Sequence, residues 1–152
     1  MKIVHLCLGA FFPDNYSYQE NMLPKFHKKQ GFDVEVIASL ETFDKDGKPS
    51  CYSEARQYIN ENGVSVTRLD YKEPKKLYRK LKRFSGFKDA LEKSKPDILF
   101  IHNVQFLDVD TVVKYLKKHD NVKVFCDNHA DYMNSAKNPI SRIILHGLLW
   151  KH

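Results

Sequence analysis

The sequence predicts an α/β domain built on a doubly wound parallel sheet, with helices on both faces and five strands in the order 3-2-1-4-5, numbered along the chain. Three observations predict it. Strand-like and helix-like segments alternate along the 152 residues, the pattern of α/β folds. Lys2–Leu8 (KIVHLCL) and Asp97–Asn103 (DILFIHN) are strongly apolar, as buried parallel strands are. A helical segment over Ser17–Gln30 lies between the runs Lys2–Leu8 and Asp33–Ser39 (DVEVIAS), and a helix between two such strands implies a parallel crossover.

The elements follow in order. After the first strand, Gly9–Tyr16 is a loop holding Gly9, Pro13, Asp14 and Asn15. Ser17-Tyr18-Gln19-Glu20 fits a capping box, in which the Ser17 hydroxyl accepts from the Glu20 N–H and Glu20 reaches back. Tyr18, Met22, Leu23 and Phe26 form the apolar face of this first helix; Pro24 should bend it, and Gly31 stops it. Glu41–Cys51 is polar and read as a turn region, in which Asp44-Lys45-Asp46-Gly47 lacks the spacing and closing Glu of a calcium loop. Tyr52–Glu61 reads as a helix ended by Asn62-Gly63, and Val64–Leu69 (VSVTRL) as the third strand. Helical sequence runs from Lys75 to Lys95, broken near Ser85-Gly86, and Pro96 opens the fourth strand. Val109–His119 is an amphipathic helix with Val112, Val113 and Leu116 inward. Val122–Cys126 is the fifth strand, and a last helix starts near Pro139-Ile140-Ser141 and runs to His152.

Composition narrows the class. Hydrophobic residues make up 42% of the chain, with 10 Phe and 8 Tyr, enough for a core and contrary to disorder. No apolar run is long enough to span a membrane. The start holds one Lys and a short apolar stretch, but His5 interrupts it and no clear cleavage site follows, so a signal peptide is not expected. Three cysteines, Cys7, Cys51 and Cys126, occur without a C-x-x-C spacing, which fits a reduced, cytoplasmic setting.

The net charge is +6, which points to an anionic partner. Six basic residues fall within Lys75–Arg83. On a helix, Leu77, Leu81 and Phe84 would share one face and the basic side chains would cover the rest. Such a segment either packs its Leu face on the core or lies on an anionic membrane surface. Nucleic acid is not expected, because no aromatic–basic motif of a nucleic-acid-binding fold is present.

Parallel sheets bind ligands at the carboxyl ends of their strands, where the winding reverses. In the order 3-2-1-4-5 this brings together Gly9–Ser17 after the first strand, His102-Asn103 after the fourth and Asp127–Asp131 after the fifth. His102, Asn103, Asn128, His129 and Asp131 would then place imidazoles, amides and a carboxylate around a polar, polyhydroxylated ligand. His102, His129, Asp127 and Asp131 lack the dense spacing of a metal site, so no metal is expected. Cys7 and Cys126 fall within strands rather than at an elbow, which argues against a nucleophile. No G-x-G-x-x-G follows any strand, so a dinucleotide cofactor is not expected.

These residues resemble a known family. Tyr18-Gln19-Glu20-Asn21-x-Leu23-Pro24, Gly31-x-Asp33-Val34-Glu35-Val36, Lys95–Asn103 and Asp127–Asp131, taken in this order, resemble the amino-terminal domain of GT-B fold glycosyltransferases, more narrowly the family 4 or group 1 retaining enzymes. The resemblance covers nearly the whole chain. It implies a Rossmann-like domain, the single domain 1–152, forming the acceptor side of a two-domain enzyme whose carboxyl-terminal donor domain is absent; this chain alone would not turn over. It also implies a nucleotide-sugar donor, a glycan or lipid-linked acceptor, and a role such as cell-surface polysaccharide synthesis. His129 matches the family position whose imidazole lies beside the transferred sugar, and with Asp131 it is the expected catalytic pair. Asn128, His102 and Asn103 are expected to shape the substrate cleft. Asn15, Tyr16 and Ser17 match the stretch where the family often carries a Gly-Gly pair; their larger side chains restrict a close approach to donor phosphates. The competing expectation is a basic, non-enzymatic module that docks on a membrane surface or a protein.

Overall fold

The structure is a computed structural model and describes residues 1–127. Asn128, His129, Asp131 and the helix expected over 139–152 lie outside the described residues. In chain order the elements are β1 (Lys2–Cys7), α1 (Gln19–Lys29), β2 (Asp33–Ser39), β3 (Glu41–Phe43), β4 (Pro49–Cys51), β5 (Arg56–Ile59), β6 (Ser65–Leu69), α2 (Lys75–Leu81), α3 (Phe87–Ser94), β7 (Ile98–His102), α4 (Val109–Leu116) and β8 (Lys123–Asp127). Six strands form one mostly parallel sheet in the order β5-β6-β2-β1-β7-β8. Among the described strands of this sheet only β5 runs antiparallel, against β6.

Side-chain alternation along the strands divides the core. Val4, Leu6, Ile37, Leu99 and Ile101 pack with Phe87 and Leu91 of α3 and with Val112 and Tyr115 of α4. Cys7, Val34, Val36, Ala38, Val64 and Val66 form a second cluster with Phe12. His5 alternates to the same side as Cys7, and there it meets His27 of α1. Each fully buried Leu or Phe contributes about 1.5–3 kcal/mol, so these two clusters hold the sheet between its helices.

Five expectations are corrected. Tyr52–Glu61 is not a helix: residues 56–59 form β5, and Gln57 and Tyr58 sit opposite Thr67 and Val66. Asn60 to Gly63 is the hairpin turn, with the Asn60 carboxamide oxygen accepting from the Asn62 and Val64 N–H groups at 3.0 Å each. The aromatic, β-competent Tyr58-Ile59 beside that turn outweighs the polar character that suggested a helix. Second, Glu41–Cys51 contains the β3–β4 hairpin; its tip is a plain turn, with Asp44 accepting from the N–H groups of Asp46 and Lys48.

Third, the capping box does not form. α1 begins at Gln19 after Tyr18, and no side chain caps it. Pro24 lies inside the helix and is buried. Fourth, the face expected of Leu77, Leu81 and Phe84, to pack on the core or lie on a membrane, is divided: α2 holds no fully buried residue, Leu77 is 49% exposed and Leu81 is half-buried. Lys82 turns left-handed (φ 51°) and ends the helix. Phe84 therefore lies beyond it, buried against Tyr71. Fifth, in α4 Val112 and Tyr115 face inward while Val113, expected inward, is exposed, because the helix turns Tyr115 rather than Val113 onto the core.

Candidate functional site

The carboxyl ends of the strands carry three features. The first is the loop after β1, which a buried arginine holds in place. Arg68 of β6 is fully buried and donates to the carbonyls of Phe12 (2.5 Å) and Ser39 (3.0 Å) and to the Tyr58 hydroxyl (3.1 Å). Its guanidinium also pairs with Asp14 at 3.4 Å. Asp14 in turn accepts from the hydroxyls of Tyr52 and Tyr58, each at 2.6 Å. Burial pushes the Tyr58 hydroxyl up in pKa, so it remains a donor. Arginine suits the position because its fork serves several acceptors at once.

The second feature is the junction of the β1 and β7 loops. A Cβ on Gly9 would lie 2.3 Å from the Asn103 carbonyl oxygen, so only glycine allows this approach. Asn103 is left-handed (φ 64°), its N–H donates to the Asp127 carbonyl, and its side-chain oxygen accepts from the Gln105 N–H. Lys82 closes the junction from the α2 side, donating to the Gly9 carbonyl at 2.6 Å. Burial lowers the Lys82 pKa.

The third feature is a chain of imidazoles. His5 pairs in register with Phe100, so His102, two residues on, shares its face. His102 pairs directly with Asp127. His27 Nδ1 lies 3.0 Å from His5 Nε2, His5 Nδ1 lies 2.9 Å from His102 Nε2, and His102 Nδ1 lies 3.0 Å from Asp127 Oδ2. Gln19 donates to the same Asp127 oxygen at 3.0 Å. Burial, together with the neighbouring His102 and His27, pushes the His5 pKa down to about 2; burial also lowers that of His27.

A groove of about 780 Å³ opens beside these features, at the ends of β2 and β6. Leu40, Tyr52 and Tyr71 line it with Lys75, Lys76, Arg79, Lys80 and Lys82 of the α2 region. Lys75 pairs with Asp70 at 2.6 Å and Arg79 with Glu41 at 3.5 Å. Among the described residues Lys76 and Lys80 have no ion-pair partner. Lys82 belongs to both places: it lines the groove and touches Gly9.

Comparison of the chain with protein-family models, with curated proteins and with solved structures returns no match. The site therefore rests on its own geometry. Asn103 and Gly9 meet as expected. His102 is buried and bonded inside the protein, so it stands behind the rim rather than lining an open cleft. Asn15, Tyr16 and Ser17 turn toward other partners. The Asn15 N–H points at Glu61, Tyr16 packs on Phe43 and Tyr18, and Ser17 is exposed. Asn128, His129 and Asp131 fall outside the described residues.

Sequence reasoning missed Arg68, His5 and His27. Arg68 and His5 carried a signal. Each is a polar residue in the middle of an apolar strand, and a buried polar group needs bonded partners. His27 carried none, because a helical histidine is ordinarily a surface residue.

Proposed function

We propose that this chain is the amino-terminal, acceptor-side domain of a retaining GT-B glycosyltransferase, a doubly wound Rossmann-like unit with its parallel strands in the order 3-2-1-4-5 and helices on both faces. The parent enzyme moves a sugar from a nucleotide-sugar donor to a glycan or lipid-linked acceptor at the cytoplasmic face of the membrane. The observation that carries the reading is the cation-lined groove at the carboxyl ends of β2 and β6, joined through Lys82 to the β1 loop. A concave site there, with few but convergent charges, suits a polar acceptor bearing phosphate. In this reading His129 and Asp131 lie beside the transferred sugar, Asn128, His102 and Asn103 support the rim, and Asn15, Tyr16 and Ser17 border the acceptor.

The native reading frame beyond His152 provides the test. If it encodes a second α/β segment, the full product incubated with labelled nucleotide-sugars and a polyprenyl-phosphate acceptor should transfer sugar. His129→Ala should then lower kcat by at least about a hundredfold at unchanged melting temperature, since a group aimed at the transferring sugar acts chiefly in the transition state. Wild-type turnover in a folded variant would refute the role given to His129. A stop codon near residue 152 would refute the two-domain enzyme.

A second reading, a membrane-docking module, is favoured by α2. None of its residues is buried, and exposed Leu77 stands among Lys75, Lys76, Arg79 and Lys80. Each basic residue near an anionic bilayer contributes about 1 kcal/mol. Binding to vesicles containing phosphatidylglycerol should weaken as salt rises, and Lys76→Glu with Lys80→Glu should weaken it roughly tenfold or more. Equal binding to neutral phosphatidylcholine vesicles would rule out electrostatic docking.

A further inference from the structure

We propose that His27, His5, His102 and Asp127 form one oriented proton relay, which delivers a proton from the α1 surface to the rim at the carboxyl ends of the strands. The geometry sets the direction. The Asp127 carboxylate is an acceptor, so the His102 nitrogen 3.0 Å from it, Nδ1, carries the proton. His102 Nε2 is then an acceptor and takes its hydrogen bond from His5 Nδ1–H at 2.9 Å. His5 Nε2 is left to accept from His27 Nδ1–H at 3.0 Å. One carboxylate thus selects the same tautomer in three successive rings, and every bond points toward it. The outer end, His27 Nε2, belongs to a half-buried side chain on α1, whereas His5 and His102 are fully buried.

The step balances without an added reactant. A solvent proton binds His27 Nε2 while His27 Nδ1–H passes to His5 Nε2. His5 Nδ1–H passes to His102 Nε2, and His102 Nδ1–H passes to Asp127 Oδ2. One proton enters and one arrives, no electrons are exchanged, and each ring ends as its Nε2–H tautomer. Reverse flow restores the starting state. In its resting state the chain can only give a proton to Asp127, because the His102 nitrogen facing that carboxylate is already occupied. The relay therefore serves a proton-consuming step at the rim, such as departure of a phosphate or alkoxide leaving group. The depressed pKa of His5 keeps its ring neutral at ordinary pH, so transfer is concerted along the chain rather than through a resting imidazolium. Gln19, donating to the carboxylate oxygen that accepts from His102, holds that oxygen in line.

The test needs no substrate. In the full chain with ¹⁵N-labelled histidine, long-range ¹H–¹⁵N spectra near pH 7.5 should show His5, His27 and His102 as Nδ1–H tautomers. His27→Phe removes the solvent end at a half-buried position, so the protein should still fold. It should slow solvent exchange of the His5 Nδ1 proton at least tenfold while leaving backbone amide protection unchanged. Asp127→Ala should shift His27 toward its other tautomer across two intervening rings. A wild-type Nε2–H tautomer at His5 or His102 would overturn the relay, because the chain would then point the other way. So would an unchanged exchange rate in His27→Phe.

Discussion

Replacing Arg68 by Met is expected to lower the unfolding free energy by about 3–5 kcal/mol, the usual cost of removing one partner from a buried charged network. For a chain of this size that corresponds to a fall in melting temperature of roughly 10 °C. The physical reason lies in what the guanidinium leaves behind. The Phe12 and Ser39 carbonyls lose their donor, and Asp14 keeps only the tyrosine hydroxyls. An unpaired buried acceptor costs the full desolvation of that group, which exceeds the net contribution of the bond that satisfied it. The loss should extend into local structure: the loop from Phe12 to Asp14 and the start of the β3 hairpin are held to β6 by this one side chain. Arg68→Lys should recover only part of the stability, because a point-like ammonium cannot serve acceptors that lie on different sides of a planar fork. Urea denaturation followed by circular dichroism measures the difference. A cost below about 1 kcal/mol would show that the network is dispensable.

Acidification below pH 6.5 should destabilise the fold. His5 has a folded pKa of about 2 against an ordinary value of 6.5. Between those values the unfolded chain binds a proton at this residue and the folded chain does not, so stability rises with pH across the window and is lost as pH falls. The slope is about 1.4 kcal/mol per pH unit below 6.5, or about 3 kcal/mol by pH 4.5. His27, whose pKa is also lowered, acts in the same direction. The measurement is unfolding free energy by urea at intervals from pH 7.5 to 4.5. His5→Gln should flatten the curve over that window, even if the variant is less stable overall. A flat wild-type curve between pH 6.5 and 4.5 would contradict neutral burial of His5.

Both effects arise from polar residues set in strands that otherwise read as core, and this marks the boundary of what the sequence disclosed. Apolar runs of the right length located five strands; burial favours that composition in β1, β2, β6 and β7, whereas β8 is exposed over Lys123–Cys126. Lys2–Leu8 and Asp33–Ser39 correspond to β1 and β2 almost to the residue. The break expected near Ser85-Gly86 opens earlier: Lys82, left-handed at φ 51°, ends α2, and Gly86, at φ 70°, stands at the start of α3. β5 was misread because four residues at a sheet edge, Arg-Gln-Tyr-Ile, show no periodicity that tells a strand from a helical turn. The Ser17 cap failed because a capping motif records only a local preference, and the chain entering α1 is already held by Phe12, Pro13 and Asp14. Asn21 donates its side-chain amide to the Pro13 carbonyl at 2.7 Å, a contact no capping rule contains.

The sequence by itself determined that the chain is an α/β domain with a mostly parallel sheet, a basic segment over Lys75–Arg83, and polar residues at the strand ends. Period, composition and turn chemistry are local properties, and they are legible one segment at a time. Only the tertiary structure decided which of those polar residues meet. His5 and His102 are 97 residues apart, and Arg68 and Phe12 are 56 apart. Their contacts depend on strand register and on the seating of α1, which are set by the packing of the whole core. The same packing leaves Leu77 exposed and sets half-buried Lys82 against Gly9. A one-residue slip between β1 and β7 would place His102 on the opposite face from His5, and no local feature of either strand specifies that register.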